Sequence, residues 1–254
     1  MAQPWNITFQ VNRQTGDGPA RFDSFSLEVN PDEYVLDAVE RIWAFHDRSL
    51  IFRHACHHSV CGACGMRVNG VEKLTCITPI HKVTVNGGVV KIEPLRNFPV
   101  VGDLAVDMGT FYLRMEAVGF PQIVPLDESP PTDSDTIKPA RHAPHDLTRL
   151  VDCIECGMCI SACPVSLTTP GYLGPAVLAG AQHVGIRNAP QLLDIVDTED
   201  GVWRCHSVYE CTAVCPANVQ PGWRIMDLRA QVMRARLSNL FNRKGWAPVE
   251  PHRK

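Results

Sequence analysis

The chain lacks several things that would assign a protein of its size quickly. It has no excess of basic residues: a net charge of −3 and a pI near 6.3 leave no electrostatic footprint for nucleic acid. It has no uninterrupted apolar run. From Cys156 to Ile186 no residue carries a formal charge, but Pro164, Pro170, Pro175 and several glycines break the stretch and three cysteines lie within it. Short buried helices and metal-lined loops explain it better than a membrane span. The N-terminal MAQPWNITFQVNRQ has neither a basic leader nor an apolar core segment, so no secretory signal is expected and a reducing compartment follows. Disulfides are not kept there, and eleven cysteines need another explanation. A composition of 45% hydrophobic and 20% charged residues over 254 positions leaves room for two domains.

The cysteines fall into groups of four, four and three. Cys56, Cys61 and Cys64 have C-x4-C-x2-C spacing, and Cys76 follows across the hairpin dipeptide Asn69-Gly70, which is the plant-type arrangement for a 2Fe-2S cluster. Three thiolates curl round a small cluster while the fourth arrives from a neighbouring strand. Gly62 and Gly65 suit such a loop. Tetrahedral zinc is the alternative for four cysteines, but structural zinc sites pair two short C-x2-C hooks. His57 and His58 raise a Rieske-like option; four cysteines already fill the site, so both are assigned to its surroundings or to solvent.

The second group is the run CIECGMCISACP, Cys153 to Pro164, and the third is CHSVYECTAVCP, Cys205 to Pro216. The first is the bacterial ferredoxin run C-x2-C-x2-C-x3-C-P, in which the fourth cysteine ligates the other cluster. Crossing gives Cys153, Cys156, Cys159 and Cys215 to a 4Fe-4S cluster, and Cys163, Cys205 and Cys211 to a second one. That second cluster meets Val208 where a fourth thiolate belongs. An isopropyl group cannot hold the corner iron, so 3Fe-4S is expected there, with its potential altered and water excluded by the valine. A merely degraded position is the alternative; the otherwise intact crossed set opposes it.

Around these motifs, alternation at Ile7, Phe9, Val11 and at Phe25, Leu27, Val29 reads as two strands. Val35, Val39, Ile42 and Trp43 make one apolar helix stripe. Met66 and Val68 lead into the Asn69-Gly70 turn, and strand signals recur at Val83, Val85, Val89, Val90 and Ile92. The first hundred residues are therefore expected to form a small mixed sheet with one helix. A Pro-rich connector lies within about 120–146. Beyond it Gln191 to Val196 and Pro221 to Arg236 look helical, with Ile225, Leu228 and Val232 on one face.

A plant-type 2Fe-2S domain followed by these two runs resembles the iron–sulfur subunit of succinate dehydrogenase and fumarate reductase, the respiratory complex II family. NGVEKLTC, EPLRNFPVVGDLAVDMGTFY, CIECGMCISACP, CHSVYECTAVCP and PGWRIMDLR carry the likeness over nearly the whole chain. The resemblance implies an α+β protein: an N-terminal β-grasp-like 2Fe-2S ferredoxin domain, residues 1–105, and a C-terminal all-α bacterial-ferredoxin-like domain, residues 106–254. It implies three clusters carrying electrons between FAD in a flavoprotein partner and a quinone beside a membrane anchor of cytochrome b type, which holds haem b in some members. It also implies a peripheral location on the cytoplasmic face of the inner membrane, with no catalytic residue in this chain. A soluble multi-cluster carrier, and the same relay run in reverse as a fumarate reductase, are the alternatives.

Two departures stand out. Family members carry Arg-Glu-Gly after the first cysteine, where this chain has His57-His58-Ser59. Ubiquinone-reducing members carry two tryptophans where Leu167 and Thr168 stand. The quinone neighbourhood carried over is then Pro164, Leu167, Thr168, His206, Val208 and Arg229. Without an indole donor it points to an altered site or a menaquinone-type partner, and His206 has a structural role as its alternative. From Arg229 to Lys254 the chain is basic, with Leu237, Leu240, Phe241 and Trp246 interspersed. Such a tail suits lipid headgroups or an anchor subunit, or else stays solvated.

Overall fold

In the computed structural model, residues 3–120 and 153–241 are described. The Pro-rich connector and the end of the basic tail, Trp246 included, lie outside the described residues. Strands β1 (Trp5–Arg13) and β2 (Arg21–Val29) pair antiparallel from Trp5 opposite Val29 to Arg13 opposite Arg21. Their alternation puts Ile7, Phe9, Val11, Leu27 and Val29 on the buried face, against Val35, Val39 and Ile42 of α1 (Val35–Phe45). Each such side chain contributes about 1.5–3 kcal/mol when fully buried. Trp43 lies outside this stripe: it is partly exposed, with the Arg48 guanidinium 4.1 Å above its ring.

Strands β3 (Gly65–Val68) and β4 (Val71–Leu74) form the second hairpin. Asn69 and Gly70 take φ values of 50° and 84°, the double positive φ of a type I′ turn. Strand β5 (Val89–Glu93) runs parallel to β1 and antiparallel to β3, giving the mixed order β2-β1-β5-β3-β4. Val83 and Val85 are not a strand. A 3₁₀ turn at Ile80–Lys82 precedes them, and the Val83 carbonyl accepts from Asn69 Nδ2 at 2.8 Å instead of from a strand partner. Only the segment after Gly87 and Gly88 enters the slot between β1 and β3.

A small hairpin, β6 (Val100–Gly102) and β7 (Ala105–Val106), leads to α2 (Gly109–Ala117). Buried Arg13 ties this hairpin to the sheet, pairing with Asp103 at 3.1 Å, Asp23 at 3.2 Å and Asp47. From 153 onward the described residues contain no strand; the helices are α3 (Met158–Ala162), α4 (Pro164–Thr168), α5 (Pro175–Val184), α6 (Leu192–Val196), α7 (Glu210–Ala213) and α8 (Pro221–Phe241), with a 3₁₀ turn at Val202–Arg204. Buried α5 packs on α8, whose Ile225, Leu228 and Val232 are inaccessible as their spacing predicted. The uncharged run is thus an interior helix flanked by cysteine loops. No described helix is long and apolar enough to cross a membrane.

The sheet and the helices share one core. Leu36, Cys64, Leu74, Cys76 and Leu95 pack with Met158, Val165, Val177 and Leu178. Polar stitches reinforce it: Asn97 Nδ2 donates to the carbonyls of Ile160 at 2.7 Å and of Ser161 and Cys163 at 3.2 Å. Ser161 Oγ donates to Glu72 Oε1 at 2.8 Å and accepts from the Arg96 amide at 2.9 Å. Glu72 is buried, and its charge is met by Arg67 and Arg96.

Candidate metal centres

The first nest is built by the loop between α1 and β3 and by the turn after β4. The amides of His58, Val60 and Cys61 donate to Cys56 Sγ at 3.5, 3.3 and 3.4 Å. These donors, led by the His58 amide, bring the Cys56 thiol down to about 6. The loop achieves this by turning through left-handed backbone at His57, Ser59 and Gly62, with φ of 58°, 62° and 70°. Cys76, on the 3₁₀ turn Thr75–Ile77, is brought against Cys64, whose carbonyl accepts from Thr75 Oγ1 at 2.9 Å. Burial first, and then the Cys64 thiol, push Cys76 up to about 11. Amides favour charge on one sulfur while burial opposes it on another, a tension that a bound cation removes.

The other seven cysteines divide between two cavities, in the crossed fashion. Cys153, Cys156, Cys159 and Cys215 line one, closed by Phe111, Ile154, Ala176, Ala179 and Val219. Burial drives the thiols of Cys153 and Cys156 up to about 11 and about 12, and that of Cys159 well above its ordinary value. Cys163, Cys205 and Cys211 line the other, with Pro164, Tyr172, His206 and Val208. Burial there pushes the Cys211 thiol up to about 12. The amides of Ser207 and Val219 donate to Cys205 and Cys215 Sγ, each at 3.4 Å. Convergent thiols in apolar cavities, with amides aimed at their sulfurs, are the donor set of iron–sulfur clusters and fit them. The Tyr172 hydroxyl is buried facing the Cys205 thiol, in position to donate to a sulfur of a cluster held there.

Val208 sits at the cavity's rim, 51% exposed, so within this chain it does not seal the site from water as the sequence led one to expect. Leu167 and Thr168 point outward from α4 and do not line the cavity; His206 is exposed at its edge. Arg229 grips the Cys205 loop from behind, donating to the carbonyls of Val202 and Cys205 and to Ser207 Oγ. Sequence reasoning missed Tyr172 and Asn97, whose residue types carry no spacing signal.

Glycine brings the first two nests together. A Cβ on Gly62 would stand 2.8 Å from Cys156 Cβ and 2.9 Å from the Ile154 carbonyl oxygen. Gly65, the other glycine singled out in the sequence, meets only ordinary contacts at 3.4 Å and beyond.

A small mixed sheet holding one cysteine nest, joined to a helical unit holding two, defines a multi-cluster iron–sulfur protein of the electron-transfer type. The comparisons agree. Residues 8–113 match the model of a 2Fe-2S iron-sulfur cluster binding domain and residues 149–219 that of a 4Fe-4S dicluster domain. The chain is 35% identical to the fumarate reductase iron-sulfur subunit of Mycobacterium tuberculosis, over 87% of this chain and 89% of that one. It is 32% identical to the mitochondrial succinate dehydrogenase [ubiquinone] iron-sulfur subunit of Dictyostelium discoideum, over 88% and 81%. Its fold is similar to a chain of the Mycobacterium smegmatis Sdh1 complex in the apo form, with a TM-score of 0.72, 25% identity, and coverage of 92% of this chain and 98% of that one. The chain belongs to the family of fumarate reductase and succinate dehydrogenase iron–sulfur subunits, electron-transfer components of complex II-type enzymes.

Proposed function

We propose that this chain is the relay of a membrane-associated succinate:quinone oxidoreductase, joining FAD in a flavoprotein partner to quinone at an anchor subunit. In this proposal Cys56, Cys61, Cys64 and Cys76 hold a 2Fe-2S cluster, and Cys153, Cys156, Cys159 and Cys215 a 4Fe-4S cluster. Cys163, Cys205 and Cys211 hold a 3Fe-4S cluster. The observation that carries it is the crossing of the last two groups: Cys215 joins a cavity whose other cysteines lie more than fifty positions earlier, and Cys163 joins the cavity of Cys205 and Cys211. The clusters supply one-electron redox chemistry. The chain's own residues hold the sulfurs, aim amides at them, exclude water from the inner cavity, and bring two cysteine loops into contact at Gly62. No residue of this chain breaks a bond in substrate; dicarboxylate chemistry belongs to the flavoprotein. A relay works in both directions, so succinate oxidation and fumarate reduction are served alike.

The finer assignments belong to the same proposal: a β-grasp-like domain over 1–105, an all-α bacterial-ferredoxin-like domain over 106–254, and peripheral attachment to the cytoplasmic face of the inner membrane through an anchor of cytochrome b type. The quinone neighbourhood is the third cavity's rim, at Pro164, His206 and Val208, with Leu167 and Thr168 on the exposed face beside it and Arg229 behind it. The deciding experiment is mild purification of the native assembly, with identification of subunits and flavin and EPR of oxidised and reduced samples. An oxidised-state 3Fe-4S signal together with a co-purifying flavoprotein is expected. A monomer with neither, or a colourless protein containing zinc in place of iron and sulfide, overturns it.

A further inference from the structure

The histidines beside Cys56, which the relay does not use, belong to a second metal-type constellation. Glu40 on α1, His54 in the following segment and His57 in the cysteine loop bring three ligand atoms together. Glu40 Oε1 lies 3.1 Å from His54 Nδ1 and 3.2 Å from His57 Nε2, and the two ring nitrogens are 3.3 Å apart. Around a divalent ion with bonds of about 2.1 Å, adjacent ligand atoms stand about 3.0 Å apart in an octahedron and about 3.4 Å apart in a tetrahedron. This near-equilateral triangle falls between the two values.

A proton shared between His54 Nδ1 and His57 Nε2, which are hydrogen-bonded at 3.3 Å, serves the two imidazoles but not the carboxylate. Glu40 Oε1 is sealed from water, yet neither imidazole meets it at hydrogen-bond geometry. A single carboxylate oxygen therefore faces two ring nitrogens with no N–H directed at it. The three side chains are 30%, 41% and 44% exposed, so the remaining coordination positions of an ion would face water. Two imidazoles and one carboxylate suit zinc and its first-row neighbours; magnesium and calcium, which take oxygen ligands, are disfavoured. The constellation contains no sulfur, which separates it chemically from the cysteine nests.

We propose that Glu40, His54 and His57 form a binding site for a divalent transition cation of the zinc class on the outer side of the Cys56 loop. The ion would clamp helix α1 to the loop whose amides surround the Cys56 sulfur. His58, exposed and outside the triangle, takes no part.

The test uses the full chain with its iron and sulfide in place, incubated with micromolar zinc sulfate and then gel-filtered. Zinc, iron and sulfide are counted, and zinc K-edge absorption reads the ligands without interference from iron. The expected result is one retained zinc per chain, with nitrogen or oxygen neighbours at about 2.0–2.1 Å and imidazole scattering. Glu40→Ala, His54→Ala and His57→Ala each lose that zinc, His58→Ala keeps it, and iron and sulfide are equal throughout. No retained zinc in the cluster-bearing wild type, retention undiminished in the three variants, or sulfur neighbours at about 2.3 Å overturns the proposal. If a variant sheds iron, the wild-type absorption spectrum decides alone. Iron and sulfide counts report on the clusters separately, so failure of this site and failure of the relay are distinguishable.

Discussion

Replacing Gly62 by alanine tests whether close approach of the first two cysteine loops is built into the fold. Two costs add. Gly62 has φ of +70°, where a non-glycine residue costs about 1–2 kcal/mol. The new methyl group would also stand 2.8 Å from Cys156 Cβ, 2.9 Å from the Ile154 carbonyl oxygen and 3.0 Å from Cys156 Cα. These are backbone and near-backbone atoms that no rotamer change moves, so overpacking adds about 1–3 kcal/mol. The sum, about 2–5 kcal/mol, corresponds to a fall of roughly 5–20 °C in the unfolding temperature of a chain this size. Gly87→Ala is the internal control: its φ is +76° and nothing lies within 4 Å of the added carbon, so it bears the backbone cost alone. Cluster absorbance and circular dichroism followed through heating at one fixed rate give the comparison. If Gly62→Ala melts within about 2 °C of Gly87→Ala, the collision does not exist and the two loops are not in contact.

Val208→Cys offers a fourth thiol at a rim position that needs no repacking; on the proposed 3Fe-4S assignment, iron is expected to rise by one per chain and the oxidised-state EPR signal to vanish, and a retained signal refutes this. Tyr172→Phe removes a buried hydroxyl that faces the Cys205 thiol. If it donates to the third cluster its loss lowers that cluster's potential in a redox titration while stability stays unchanged, and an unaltered potential refutes the role. Arg13→Met strands the Asp23, Asp47 and Asp103 carboxylates, at a cost of about 3–5 kcal/mol for breaking a buried pair; thermal unfolding within about 1 kcal/mol of wild type refutes it.

What could be read in advance was whatever rested on period or spacing. The alternation in β1 and β2, the Asn69-Gly70 turn, the apolar face of α8 and the crossed cysteine sets all rest on distances along the chain that the backbone converts directly into faces and neighbours. Val83 and Val85 misled because alternation says that a segment is extended, not that a partner strand has room for it; the Asn69 side chain had already taken the Val83 carbonyl. Trp43 fits the helical period but sits at the edge of the apolar face, where an indole stacks under Arg48. The Glu40, His54 and His57 triangle was illegible, since its members converge only when helix α1 lies against the cysteine loop. Val208 was noticed for the sulfur it lacks, yet its exposure depends on how the surrounding rim is shaped.

Among the described residues, the grip of Asn97 on the carbonyls of Ile160, Ser161 and Cys163, with Ser161 locked to Glu72 and Arg96 beside it, ties the sheet directly to the helices. Parting the sheet from the helices would break these hydrogen bonds together, each worth about 0.5–1.5 kcal/mol, so the bonds that close the fold also hold the cysteine nests at their spacing.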